Sequence, residues 1–80
     1  MGSRFDIRVR SPDGREGELA VFDTQGRRVA VLLAGFPGPG EHRLSWSGAD
    51  ERGAALRAGF YVLRLRMGPE QRSLRILLMR

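Results

Sequence analysis

Hydrophobic and polar residues alternate with a period of two along most of the chain. In the first such run, Phe5, Ile7 and Val9 alternate with charged residues. The other runs that alternate, or that are apolar on both sides, are 18–23, 29–33, 42–46, 60–67 and 74–79. A period of two is typical of β-strands, because successive side chains point to opposite faces of a sheet. No segment of useful length has the period of an amphipathic helix.

Segments rich in glycine, proline and aspartate separate these runs. They are Ser11–Gly14, Asp23–Gly26, Gly35–Gly40 and Gly68–Gln71. Proline fixes φ and removes a backbone donor, and glycine accepts positive φ, so such segments form turns and loops. About six or seven short strands joined by turns of this kind predict an antiparallel β-sandwich, an all-β fold.

The apolar side of each alternation predicts the core between the two sheets. The predicted core residues are Leu19, Val21, Val29, Val31, Leu44, Trp46, Tyr61, Leu63, Leu65, Ile76 and Leu78. The run 74–79 is apolar on both sides, which predicts a last strand that is paired inside a sheet rather than at an edge.

The segment between Trp46 and Gly59 is acidic and contains several glycines, and it raises the question of a calcium loop. A calcium loop needs several oxygen ligands that converge on one point. Here Asp50 and Glu51 are the only acids, and Arg52 follows them. We therefore interpret the segment as a turn in which glycines supply unusual backbone angles and Asp50 accepts hydrogen bonds from loop amides. No metal and no other cofactor is expected.

Three aromatic or ionisable side chains are candidates for chemistry. Trp46 is in phase with apolar positions of its strand, so we expect a core residue rather than a platform for sugar stacking. Tyr61 is interpreted in the same way, with its hydroxyl bonded to a loop. His42 has no local nucleophile or orienting acid beside it, and without cysteine the chain lacks the usual zinc ligands. The sequence therefore predicts no catalytic site.

The charge of the chain is positive, at +5, and all of the 14 basic residues are arginine. Codon bias toward GC-rich codons explains the absence of lysine most simply. Arginines at alternate positions predict a basic sheet face or a solvated surface, and they are Arg8, Arg10, Arg64, Arg66, Arg72 and Arg75. They are not clustered or interleaved with aromatic residues within a run, so nucleic-acid binding is not expected. No run is long enough to cross a bilayer.

The domain organisation is simple. Residues 4–80 are predicted to form one domain, and Met1–Ser3 resemble a remnant of an expression vector. No signal peptide opens this fragment, so any targeting signal of the natural protein is expected upstream.

Two stretches resemble one known family. They are "VFDTQGRRVAVLL" (21–33) and "GPGEHRLSWSGADERGAALRAGFYVLRLR" (38–66), followed by the basic, apolar end "SLRILLMR". The pattern resembles the immunoglobulin-like domain of the bacterial flagellar hook-capping protein, and also the type A C-terminal sorting domain of the type IX secretion system. The residues that fit it are Phe22, Asp23, Gly26, Arg27, Val29, Gly40, His42, Trp46, Gly48, Asp50, Gly53, Gly59 and Tyr61. Ser47 and Phe22 stand where the family usually has Asp and Tyr, and Ser47 removes one carboxylate from the loop.

The resemblance implies an immunoglobulin- or fibronectin-III-like sandwich with a non-catalytic role. The main hypothesis is an accessory module of a secreted or surface bacterial protein, which acts in sorting or as a structural tail. Arg75 and Arg80 are then candidate recognition residues for secretion machinery. The alternatives are an assembly scaffold, as in hook capping, and a carbohydrate- or surface-binding module. Partners are expected to be proteins, with a monomeric isolated domain, no membrane insertion and an extracytoplasmic location.

Overall fold

The computed structural model describes residues 4–11, 17–35 and 38–79. Within these residues it contains the strands β1 (Phe5–Ser11), β2 (Gly17–Phe22), β3 (Arg28–Ala34), β4 (Gly40–Trp46), β5 (Gly59–Met67) and β6 (Glu70–Leu78). β1 and β4 form a two-stranded sheet, and the other sheet has the order β3-β2-β5-β6. All pairs are antiparallel. The predicted immunoglobulin-like, all-β sandwich is therefore confirmed.

Parts of two predicted loops, and both ends of the chain, lie outside the described residues. The predicted turn Ser11–Gly14 is described only at Ser11, and the loop Gly35–Gly40 is described except at positions 36–37. Arg80 and the segment Met1–Ser3 are also outside.

The core lies between the two sheets. Its buried centre consists of Val21, Ala30, Trp46, Tyr61 and Leu78. On the side of the two-stranded sheet, the rings of Phe5 and Trp46 stack with centroids 5.6 Å apart. The predictions for Leu19, Val21, Trp46, Tyr61 and Leu78 are confirmed, because all are buried. The remaining predicted core residues are only half-buried: Val29, Val31, Leu44, Leu63, Leu65 and Ile76.

β3 departs from strict alternation, which corrects part of the predicted core. Its register against β2 shifts twice, between Leu19 and Ala20 and between Val21 and Phe22. At a β-bulge two residues of one strand oppose one residue of the other, so the inward and outward sides exchange. As a result Ala30 pairs with Val21 and is buried, whereas Val31 pairs with Ala20.

The last strand was predicted inside a sheet, and this prediction was wrong. β6 is an edge strand of the four-stranded sheet. It also begins at Glu70, four residues before the predicted start at Leu74, because the turn that precedes it is shorter than predicted. Met67 pairs with Glu70, which leaves only Gly68 and Pro69 in the loop. Gly68 has φ of 55°, as the first position of a type II′ hairpin turn requires.

Candidate functional site

The loop between β4 and β5 is held by its own backbone and by two aromatic side chains. The indole Nε1–H of Trp46 donates to the carbonyl of Ala49 at 2.9 Å. At the other end, the Tyr61 hydroxyl donates to the carbonyl of Arg57 at 2.7 Å. A tyrosine at the start of a strand that bonds four residues back resembles the tyrosine corner of immunoglobulin-like sandwiches. Both side chains are buried, so neither offers a ring face for sugar or a phenol for catalysis.

Asp50 organises the tip of this loop. Its Oδ1 accepts the amides of Arg52 and Ala54, both at 2.9 Å. The Asp50 amide donates to the Ala54 carbonyl, and the Gly53 amide donates to the Asp50 carbonyl. Gly53 has φ of 85°, a left-handed angle that glycine adopts without a steric penalty. The carboxylate is thus engaged by loop amides, as the turn interpretation requires.

The turn between β2 and β3 repeats this arrangement. Asp23 Oδ1 accepts the amides of Gln25 and Arg27, again both at 2.9 Å. The Asp23 amide donates to the Arg27 carbonyl, and the Gly26 amide donates to the Asp23 carbonyl. Gly26 has φ of 82°. The two turns therefore share one motif, Asp-x-x-Gly-x, and the common spacing of Asp and Gly in the sequence is the signal that could have revealed it.

Asp23 also forms an ion pair with a side chain of its own turn, whereas the corresponding position in the Asp50 turn is Ala54. Its Oδ2 lies 2.8 Å from the Nε of Arg27. The backbone hydrogen bond from Arg27 holds the pKa of Asp23 below its usual value of 3.8, and the Arg27 side chain adds to this effect. The ionised carboxylate is therefore the form that the turn stabilises.

No metal-binding group is evident in the part of the chain that the structure describes. No cluster of three or more His, Asp or Glu side chains suited to a metal ion occurs in these ranges. His42 lies in β4, and its Nε2 is 2.7 Å from the carbonyl of Gly38. Among the same residues, no helix has the length and apolar character needed to cross a membrane.

The arginines do not share one face. Arg8 and Arg10 are on the exposed side of β1, and Arg72 is paired with Leu65 on the inward side of β6. Arg64, Arg66 and Arg75 lie on the outer face of the four-stranded sheet. The arginines therefore lie on three surfaces and do not form one basic sheet face, which was the first of the two arrangements that their spacing predicted.

Arginine and phenylalanine side chains interleave on the outer face, an arrangement that no single run of the sequence indicates. The guanidinium of Arg64 lies 4.1 Å from the ring centroid of Phe22, and that of Arg75 lies 5.1 Å from the centroid of Phe60. Phe22 pairs with Val62 and Phe60 with Leu77, so each arginine is a diagonal neighbour of its ring. The contacts depend on cross-strand register, which a search within single runs does not reveal. Arg75, a predicted recognition residue, is thus stacked on a ring.

The comparisons with known proteins agree with this geometry. The family model of the FlgD Ig-like domain matches residues 2–67. The chain belongs to this family. The FlgD Ig-like fold is also found in a crystal structure of FlgD from P. aeruginosa, which is 18% identical, with a TM-score of 0.66. That match covers 95% of this chain and 58% of the FlgD chain, so this chain spans little more than half of the protein that it resembles. No curated protein matches.

Proposed function

We propose that this FlgD Ig-like domain is a non-catalytic assembly module, which contributes a folded protein-binding surface to a larger bacterial complex outside the cytoplasm. The family match over residues 2–67 is the observation that carries this proposal. The geometry supports it in two ways. The Asp23 and Asp50 carboxylates accept hydrogen bonds within their own turns, and Trp46 and Tyr61 are buried. The exposed features are strand edges and sheet faces, which bind proteins more readily than small substrates.

The test is replacement of residues 4–79 in the parent gene by an unrelated β-sandwich of similar size. The assembly role predicts that the parent protein is made and exported at normal levels but fails to enter its complex, as judged by native gel electrophoresis and electron microscopy. A complex that forms normally with the replacement would contradict the proposal.

The sorting role is a second candidate, and the placement of the C-terminal strand supports it. β6 is paired along its whole length with β5, and Leu78 in its last position is fully buried, so a receptor that reads this segment would bind a folded strand. In a host with type IX secretion, a reporter carrying the domain would be exported. Neutral substitutions at both Arg75 and Arg80 would reduce export while folding stays intact. A reporter that is exported equally well without the domain would end this candidate.

A further inference from the structure

The two edge strands of the four-stranded sheet differ in how their outer backbone groups are covered. The edge at β3 is irregular, with two register shifts. The loop after β4 also lies against it: the Glu51 amide donates to the Val29 carbonyl at 3.2 Å, and the Glu51 carboxylate is 3.6 Å from the Arg28 Nε. Bulges and loop cover are two of the devices by which natural sheets block the addition of another strand.

The edge at β6 has neither device. Its register against β5 runs from Gly59–Leu78 to Met67–Glu70 without a shift, and β6 contains no proline. Among the residues that the structure describes, β6 pairs with β5 alone. The side chains at 70–75 are all exposed. A long, regular edge of this kind presents a row of backbone donors and acceptors to which an extended peptide can add as a further strand.

The side chains of β6 favour an occupant with apolar residues on both faces. Leu74 is 61% exposed on the inward side, where the two-stranded sheet does not cover it. Leu77 is 48% exposed on the outer side, next to Phe60, which is 51% exposed. A strand added to this edge would lie about 4.8 Å from β6 and would bring its own side chains against these residues.

The charges of β6 favour an acidic occupant. β6 begins with an acid, Glu70, and its two other charged side chains are both cations, Arg72 on the inward side and Arg75 on the outer side. No ion pair within the described ranges involves either of them. Arg75 is oriented by its contact with Phe60, which leaves the edges of the guanidinium able to donate to a carboxylate.

A second copy of the chain fits this edge poorly. If two β6 strands paired antiparallel over their full length, the twofold axis would pass through Leu74. Each Arg75 would then face Ser73 of the other copy and lie diagonally across from the Arg75 of that copy. Like charges at neighbouring cross-strand positions are destabilising, and each copy also carries a net charge of +5.

We propose that β6 is a docking edge for strand addition by an extended segment of a partner protein, in which acidic and apolar residues are combined. The segment pairs with the backbone of β6, its carboxylates meet Arg72 and Arg75, and its apolar side chains cover Leu74 and Leu77. This inference rests on the proposed assembly role, to which it adds the chemistry of the partner.

The test uses the 80-residue chain, labelled with ¹⁵N. The probe is a synthetic peptide as long as β6, with blocked ends and a Glu-Glu-Val-Val repeat, so that each face of the added strand carries both carboxylates and apolar side chains. We expect NMR shifts and slower amide exchange along residues 70–78. A peptide in which Pro replaces every Val has the same charge but lacks half of the backbone donors and cannot pair as a strand. We expect it to bind at least about tenfold more weakly, and equal binding of the two peptides would overturn strand addition.

Charge reversal tests the predicted chemistry of the partner. Arg75→Glu is expected to weaken binding of the Glu–Val peptide by about tenfold and to strengthen binding of a Lys–Val peptide. Arg75→Lys is expected to retain most of the binding. Arg8→Glu, on the exposed side of β1, changes the net charge equally and is expected to have little effect. Melting curves verify that each variant is folded.

Three results would overturn the inference: peptide-induced shifts confined to β1 and β4, no binding of any peptide, or dimers of the free chain that pair through β6. The replacement experiment on the parent gene is independent of them. Normal assembly there would end the proposed function, whereas a failure of peptide binding alone would end only the assignment of the β6 edge.

Discussion

Trp46 connects three parts of the fold. It ends β4, stacks on Phe5 of β1, and bonds through its indole to Ala49 in the following loop. We expect Trp46→Ala to lower the free energy of unfolding by about 3–5 kcal/mol, because the substitution removes buried area and leaves a cavity. Urea denaturation followed by circular dichroism measures this loss. Trp46→Phe keeps a ring against Phe5 and loses the hydrogen bond, so about 1–2 kcal/mol is expected. An unchanged midpoint for Trp46→Ala would contradict the core placement.

Asp23 makes the stability of the folded chain depend on pH. Its pKa is lowered by the backbone hydrogen bond from Arg27 and by the Arg27 side chain. A lowered pKa in the folded state contributes stability that is present above the unfolded value, near 3.8, and is lost as the pH falls through the folded value. We therefore expect Asp23→Asn to be less stable than the natural chain at neutral pH.

The same substitution is expected to reduce the loss of stability on acidification. Urea midpoints at neutral pH and at about pH 3 measure the difference between the variant and the natural chain. Asp6→Asn, which removes a carboxylate from the exposed side of β1, is the matched control. If both variants respond to acid in the same way, the Asp23 turn does not carry this effect.

At the scale of the element, β6 combines a buried end with an exposed middle. Leu78 is fully buried and Leu74 is 61% exposed, although both lie on the inward side. Leu78→Ala is expected to cost about 2–5 kcal/mol, as other leucine truncations in cores do. Leu74→Ala is expected to cost less than about 0.5 kcal/mol, as at most surface positions. Thermal or urea unfolding of the two variants measures the contrast. Similar losses in both would show that the middle of β6 is covered in solution.

Most of the secondary structure could be predicted from the sequence. Period-two alternation and Gly/Pro turns locate every strand of the structure within a few residues. Prediction from the sequence failed where the environment of a side chain depends on which strands pair and in which register. The bulges of β3 exchange Ala30 and Val31, because an extra residue in one strand cannot be inferred without its partner. The predicted run 74–79 has apolar residues on both sides, which is compatible with an edge strand or a central strand, so composition alone did not distinguish the two positions.

The candidate site was predictable to a smaller extent. The turn interpretation of the Trp46–Gly59 segment depends on local spacing, and the hydrogen bonds of Asp50 follow it. The contacts of Arg64 with Phe22 and of Arg75 with Phe60 join residues of different strands. Their formation depends on register, which is set by the whole sheet rather than by any short segment.

At the scale of the whole molecule, the absence of a metal requirement is a testable prediction. Calcium binding needs more oxygen ligands than the Trp46–Gly59 loop supplies, and Asp50 already accepts two loop amides. We expect thermal melts of the chain in calcium and in chelator to coincide. A midpoint that rises by several degrees in calcium would contradict the prediction, and Asp50→Asn would then identify the ligand.

The pairing of the first strand with the fourth also sets the order in which the chain can fold as it is synthesised. Phe5 pairs with Trp46, and β1 has no other partner strand among the described residues. At about 5–20 residues per second, the roughly 40 residues between them take about 2–8 seconds to emerge from the ribosome. During that interval the apolar side chains of β1 have no sheet to join, whereas β6 follows β5 after a two-residue turn and can pair within microseconds. The early chain is therefore the part for which a chaperone is most useful. Slow codons between Phe5 and Trp46 would lengthen this interval, whereas slow codons after Trp46 would leave it unchanged.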